Sequence, residues 1–198
     1  KHKDVVEFAR ATAQKGAVAI NSQMFGTAGR EKYEPSPTTY RFQCLIPDDE
    51  RNAYVKSLVR LDDLGSIDDF SNPHLFPMRK GISTVDTSGK AVTSEKHAGP
   101  FCVAVINHYY YRSKEEFAEK LGKGDVLTGE KASSSLIQSV NEGDDPFTGE
   151  SLPTGTFRDD SIWQKMKQID PKYKKYDKDT SADRSICSFG PGYGVETG

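Results

Sequence analysis

With 198 residues and only 35% apolar side chains, the chain has enough material for one core and leaves part of itself outside it. A net charge of −2, with acids and bases interspersed, excludes the basic footprint of a nucleic-acid or anionic-membrane binder. No apolar run approaches the roughly 20 residues of a membrane span, and the first residues lack the apolar centre of a signal peptide. Lys1 in place of an initiator methionine marks the chain as processed or as a fragment of a longer one. Cys44, Cys102 and Cys187 stand far apart without C-x-x-C spacing, which argues against a zinc knuckle or redox motif and leaves an odd thiol.

Lys3 to Lys15 places Val5, Phe8, Ala9, Thr12 and Ala13 on one side of a helix, with Asp4 at its start and Lys15-Gly16 as its stop. Ala17-Val18-Ala19-Ile20 then reads as a buried strand continuing to Met24-Phe25, and a helix followed by such a strand is half of an α/β unit. Gly26-Thr27-Ala28-Gly29-Arg30 follows at once. Gly26 and Gly29 admit positive φ and a close backbone approach, either as a plain turn or as a nucleotide or sugar contact. Thr38 to Ile46 alternates, Tyr40, Phe42 and Cys44 against Thr39, Arg41 and Gln43, which predicts a half-buried strand. Tyr54 to Arg60 predicts another, and the acid pairs Asp48-Asp49, Asp62-Asp63 and Asp68-Asp69 read as solvated turns sooner than as metal ligands. Pro73 holds Asn72 extended and fixes His74, which either hydrogen-bonds a sugar or phosphate or braces its own loop. Ile82 to Val92 predicts a hairpin around Asp86-Thr87-Ser88-Gly89, a decoration and not a site.

Phe101 to Ile106, bounded by Gly99-Pro100, is an apolar run that predicts a strand buried on both faces, with Cys102 as a small core residue. Asn107, His108 and three tyrosines follow. Ser113-Lys114-Glu115-Glu116 reads as a capping box opening a helix that carries Phe117 and Leu121 on one face and ends at Gly122 and Gly124. A central strand thus delivers Asn107 and His108 to its carboxyl end, the edge where ligands bind in open α/β sheets. Arg112 is either a phosphate partner or an exposed charge at the helix entry. Residues 125–156, rich in Gly, Ser, Asp and Pro, predict a surface excursion with a helical hint at Leu136-Ile137 and Val140. Asp160 caps a helix carrying Ile162, Trp163, Met166 and Ile169, stopped by Pro171, and Trp163 either anchors it on the core or stacks on a sugar. From Lys172 onward no period survives, which predicts a mobile tail over 174–198.

Asn107-His108-Tyr109, Arg112-Ser113, Glu115-Glu116-Phe117 and Lys120-Leu121-x-Lys123-Gly124 together resemble the ordered signature of family 92 glycosyltransferases, enzymes of the GT-A fold that use nucleotide sugars. Met24 to Gly29, Lys56 to Arg60 followed by Asn72 to Phe76, and Asp160-Ser161-x-Trp163 with Pro171-x-Tyr173 resemble further elements of that family in the same order. Ser22, Arg30 and Tyr40 depart from it, standing where Trp, His and Glu are expected, and bear on acceptor specificity or activity.

The resemblance implies an α/β fold, a partial GT-A sandwich with a mixed central sheet and flanking helices over residues 1–173. It implies inverting, metal-assisted transfer of a hexose, galactose being one candidate, from a nucleotide-sugar donor to a glycan acceptor on the lumenal side of the Golgi or another secretory-pathway membrane. It places a divalent cation, manganese first, on an Asp-x-Asp motif upstream of Lys3 and on His108 as a late ligand. On pattern alone, His108 reads first as a histidine hydrogen-bonded within its strand-to-helix turn, and the resemblance reverses that order. Gly26, Gly29, Asn72, His74, Asn107 and Arg112 fall to the substrate, no carboxylate is assignable as the base, and the chain alone is not expected to catalyse. The rival classes are a non-catalytic α/β module presenting Tyr109, Tyr110, Tyr111 and Trp163 to a carbohydrate or protein, and a degenerate pseudoenzyme.

Overall fold

The computed structural model describes residues 4–13, 16–124 and 128–178. Lys3, Lys15, Cys187 and the predicted tail from 179 on lie outside them. In chain order the helices and strands are α1 (Val5–Thr12), β1 (Ala17–Met24), α2 (Thr38–Arg41), β2 (Cys44–Leu45), β3 (Val55–Val59), β4 (Thr84–Asp86), β5 (Ile106–His108), α3 (Lys114–Lys123), α4 (Ser134–Glu142), β6 (Phe157–Arg158) and α5 (Ser161–Ile169). The fold is α/β, with a sheet that mixes parallel and antiparallel pairs and with flanking helices. No helix of the described residues is long and apolar enough to cross a membrane. The chain divides into two compact units, one comprising the described residues up to 23 with Asp48–Asn107, the other Met24–Pro47 with the described residues from 108 on.

The first unit is built on β1, which is antiparallel to β3 from Ala17↔Val59 to Asn21↔Val55 and parallel to β4 from Ala17↔Thr84 to Ala19↔Asp86. Its core joins Ala19, Val55 and Val92, with Leu75 packed against them. Asn21 is a polar residue within this buried strand, and its amide donates to the carbonyls of Asn52 (3.2 Å) and His97 (2.6 Å), pinning two loops to the strand. Helix α1 is capped by the Asp4 carboxylate, and of its predicted apolar side Phe8 alone is buried.

The apolar run before β5 departs from the expectation. Only Ile106 to His108 form a strand, while Phe101 and Val103 are 39% and 49% exposed and Cys102 is an exposed free thiol instead of a core residue. The reason is space in the ladder: β3 and β4 occupy both edges of β1 over Ala17 to Ala19, so β5 pairs with β1 as a short strand off that path.

The hairpin predicted over Ile82 to Val92 forms, with Asp86 and Lys90 bonded across the turn and Val85 bridged to Ala91. Its buried Asp86 carboxylate accepts from the Ser88 N–H (2.8 Å) and hydroxyl (2.7 Å), the Lys90 N–H (3.0 Å) and His97 Nε2 (2.9 Å). Burial alone would raise this carboxyl, but the hydrogen bonds from Ser88, His97 and Lys90 outweigh it and hold it far below its ordinary 3.8. A carboxylate depressed in the folded state contributes stability that is complete above the unfolded value and fades as pH falls below it. Asp86→Asn keeps the shape and removes the charge, at an expected cost of about 1–3 kcal/mol at pH 7. Urea unfolding checks this, and the gap between variant and parent should narrow below pH 3.8.

The second unit packs α3 against α4 around Met24, Tyr111, Phe117, Ala118 and Val140. Val140 is fully buried, so the stretch read as a surface excursion contributes a core helix. Thr38 to Ile46, predicted as one strand, is instead α2 followed by β2, which pairs with β6 at Cys44↔Arg158 and Leu45↔Phe157. Pro37 starts the helix, its carbonyl accepting from the Tyr40 and Arg41 N–H groups, and consecutive residues 40 to 42 are all buried, which a half-buried strand would not allow. Cys44 is disulfide-bonded. Trp163 of α5 packs on Tyr40 at 5.0 Å, and the 3₁₀ segment Pro171–Lys178 adds Tyr173 and Tyr176 to the same cluster, so Tyr176 of the predicted tail is packed.

Candidate functional site

In the second unit the chain entering from β1 and the chain leaving β5 run together. The Phe25 N–H donates to the His108 carbonyl at 3.1 Å, the Phe25 and Tyr109 rings lie 4.9 Å apart, and Tyr109 packs on Ala28, Phe42 and Cys44. His108 is half-buried, with its ring edge-on to Tyr110 at 5.6 Å. Tyr110 leans in turn on Tyr111 and Phe117, and the fully buried Tyr111 donates its hydroxyl to Asp145 at 2.7 Å. Arg112 then takes a left-handed backbone (φ 57°), uncommon for a residue with a Cβ, and turns the chain into the Ser113 N-cap.

The capping box read from the sequence is present: the Glu116 N–H donates to Ser113 Oγ at 3.2 Å, and Glu116 reaches back to the Ser113 N–H. Its carboxylate does more than the motif requires, because Arg41 grips it with two bonds of 2.6 and 3.0 Å in a nearly water-free position. Burial alone would raise Glu116; the bonds from Arg41 and Ser113 outweigh it and hold the carboxyl below its ordinary range. One turn later, Lys120 is exposed overall, yet its Nζ lies 3.6 Å from the centre of the Tyr110 ring and 3.5 Å from the Tyr110 carbonyl. Partial burial of the ammonium, and then the positive charge of Arg112, push Lys120 down to about 8.

The Gly26 to Arg30 turn lies against this segment, the Lys114 N–H donating to the Arg30 carbonyl at 3.0 Å. Its backbone donors are all engaged: Gly26 to Cys44, Thr27 to Pro153, Ala28 to Thr154, Gly29 to the Thr27 hydroxyl and Arg30 to the Thr27 carbonyl. A Cβ on Gly26 would come within 2.4 Å of the Thr154 backbone, so the close approach this glycine permits is to the chain itself. The turn therefore offers no spare N–H to cradle a phosphate, and exposed Gly29 (φ 66°) is a turn residue beside the site.

Asn72, His74 and Asn107 belong to the first unit. The His74 N–H donates to Asn72 Oδ1 at 2.7 Å, its carbonyl accepts from Ser57 Oγ at 2.7 Å, and its Nδ1 lies 2.8 Å from the Val55 carbonyl. A carbonyl can only accept, so Nδ1 carries a proton and donates it to Val55. Asn72 in turn donates to the Glu95 carboxylate. His74 thus braces its loop and keeps one ring nitrogen for another partner. Asn107 is half-buried within β5.

Each set is held within its own unit: His108, Arg112, Gly26 and Gly29 in one, Asn72, His74 and Asn107 in the other. Among the described residues no group of three His, Cys, Asp or Glu side chains is placed to hold a metal ion, so His108 contributes a single imidazole. Tyr111 and Trp163 are 0% and 2% exposed, which removes them from any aromatic surface offered to an external sugar. The departures from the family pattern also have structural roles here: Ser22 is buried, Tyr40 is the platform for Trp163, and Arg30 bonds Glu34 and the Arg41 carbonyl. Lys120 and Arg41 are the side chains that sequence reasoning missed as functional or organising groups. Lys120 sits inside the family-like signature, whereas Arg41 carries no local signal of its partner 75 positions away. No family model, curated protein or solved structure matches the chain.

Proposed function

We propose that this chain is the carboxyl-terminal part of a GT-A glycosyltransferase resembling family 92, which moves a hexose from a nucleotide sugar to a glycan. One observation carries the reading. The ordered stretch from Asn107 to Gly124 divides into buried members that hold the frame, Tyr111, Ser113 and Phe117 with the Arg41-bound Glu116, and members left at the surface, half-buried His108 with exposed Arg112 and Lys120. A frame of this kind holds polar groups at a strand's carboxyl end, where an open α/β sheet binds its ligand.

In the reaction proposed, an acceptor hydroxyl attacks the anomeric carbon, the new C–O bond forms as the sugar–phosphate C–O bond breaks, and the proton passes to a base. The nucleoside diphosphate leaves with the electron pair. Arg112 neutralises the departing charge. A divalent cation, manganese first, would supply charge neutralisation at the diphosphate, with His108 as one ligand. The test is transfer by the full-length protein with manganese and a panel of nucleotide sugars. His108→Ala is expected to lower turnover about 10- to 100-fold, the loss typical of a perturbed metal shell. Equal turnover in variant and parent, or none with any donor, overturns the reading.

A further inference from the structure

The whole-chain charge of −2 conceals an uneven distribution. Over residues 158–176 six basic side chains stand against three acids, so α5 and the 3₁₀ segment after it carry a positive surface on an otherwise acidic chain. Composition speaks against a general basic footprint, and the structure gathers a local one. The three acids are already engaged. Asp170 pairs with Lys172 at 2.6 Å, Asp159 accepts from the Ser161 N–H, and Asp160 accepts from Gln164 with Arg158 3.7 Å away. Lys165, Lys174 and Lys175 are exposed and make no ion pair among the described residues.

Apolar side chains stand among these lysines. Ile162, Lys165 and Ile169 follow one another at i, i+3 and i+7 and so share one face of α5, where Ile162 is 43% and Ile169 74% exposed. The helix is anchored through the adjoining face, on which Trp163 packs against Tyr40 and Met166 receives the Thr39 hydroxyl at 3.0 Å. In the 3₁₀ segment three residues make a turn, so Tyr173 and Tyr176 both reach the indole while Lys172, Lys174 and Lys175 are left outside. Two isoleucines about 10 Å apart along a helix are far short of the roughly 800 Å² per partner of a stable protein interface. A soluble polyanion would take the lysines and have no use for the isoleucines. Shallow insertion of apolar side chains between headgroups held by lysines uses both.

We propose that the outer face of α5, with the 3₁₀ segment, docks on a bilayer surface that carries anionic lipid. Ile162 and Ile169 enter the headgroup boundary, and Lys165, Lys174 and Lys175 bind lipid phosphates and carboxylates. The contact is peripheral, since no helix of the described residues is long and apolar enough to cross a membrane. It does not rest on the transfer reading.

The experiment is co-sedimentation of the protein with phosphatidylcholine vesicles, with and without phosphatidylserine, at low and at high salt. Binding is expected only where phosphatidylserine is present, and it should weaken with salt as the surface charges are screened. Lys174→Gln combined with Lys175→Gln should bind about 25-fold more weakly, about fivefold per lysine near the surface, and Ile169→Ser about tenfold more weakly. Lys80→Gln, at an exposed lysine of the first unit, is the control and should bind as the parent does. All of these positions are exposed, so thermal melts of the variants should match the parent, which separates lost docking from misfolding. No binding to either vesicle, an equal loss in the control, or parent-like binding by Ile169→Ser overturns the proposal. Retention on immobilised heparin without vesicle binding also overturns it, and would name an acidic polysaccharide as the partner. Sugar transfer is measured with soluble substrates, so either reading can fail without the other.

Discussion

Arg41→Met is expected to destabilise the second unit by about 3–5 kcal/mol, the cost of stranding a buried charge. Arg41 and Glu116 have side-chain exposures of 3% and 9%, so the carboxylate left behind cannot turn to water. The guanidinium also donates through Nε to the Ser36 carbonyl at 3.1 Å and lies over the Tyr33 and Phe42 rings, contacts a methionine would fill only in part. The effect has a pH signature with a definite sign. Glu116 is depressed in the folded protein, so its contribution is complete above its unfolded value of 4.5 and is lost as pH falls through the lower folded value. The variant should therefore approach the parent in stability below pH 4.5 and differ most near neutrality. Urea unfolding followed by the fluorescence of Trp163, the one tryptophan of the chain, reads this unit directly. A difference under 1 kcal/mol at pH 7 would mean that the pair contributes little, as exposed ion pairs do.

Trp163→Ala is expected to cost a similar amount, about 3–5 kcal/mol, as for large aromatic truncations in a packed core. The indole is the hub on which Tyr40, Tyr173 and Tyr176 meet, at 5.0, 5.9 and 6.1 Å. Its removal opens a cavity under α5 and takes away the surface on which the 3₁₀ segment 171–178 docks. The Asp160 side chain makes no N-cap bond to the α5 backbone; the helix start is held instead by the Ser161 N–H donating to Asp159 Oδ1 and by Gln164 donating to the Asp160 carboxylate, both at 2.9 Å. Because the variant lacks the tryptophan, unfolding is followed by circular dichroism, with Trp163→Phe as the intermediate case. Proteolysis after Lys172 or Lys174 should accelerate in Trp163→Ala first. Unchanged melting together with unchanged proteolysis would mean that the cluster is surface decoration.

How much of this could be read from the residues alone depends on the range of each interaction. The capping box at Ser113 and Glu116, the Asp86 to Gly89 turn, the strand Val55–Val59 and the anchoring role of Trp163 were legible, because each is settled by neighbours within a few positions or by one large apolar surface. The alternation over Thr38 to Ile46 misled. Four residues, Thr38 to Arg41, satisfy a helical turn as well as a strand, and a pattern so short does not discriminate. The candidate site was legible in its residue types at 107 to 112 and at 72 to 74. The engagement of the Gly26, Thr27 and Ala28 donors was not, since their acceptors come from Cys44, Pro153 and Thr154.

By itself, the sequence determined where helices cap, where turns close and which short motif carries the polar groups, because those choices are made among atoms separated by three or four residues. Tertiary structure alone decided that Phe101 to Val103 stay outside the sheet, since the length of β5 is set by how much edge β3 and β4 leave free on β1. It also decided that Glu116 faces Arg41, 75 positions away, and not the lysine one turn along its own helix. A carboxylate bonds the cation that packing brings to it, and no local pattern records which one that will be.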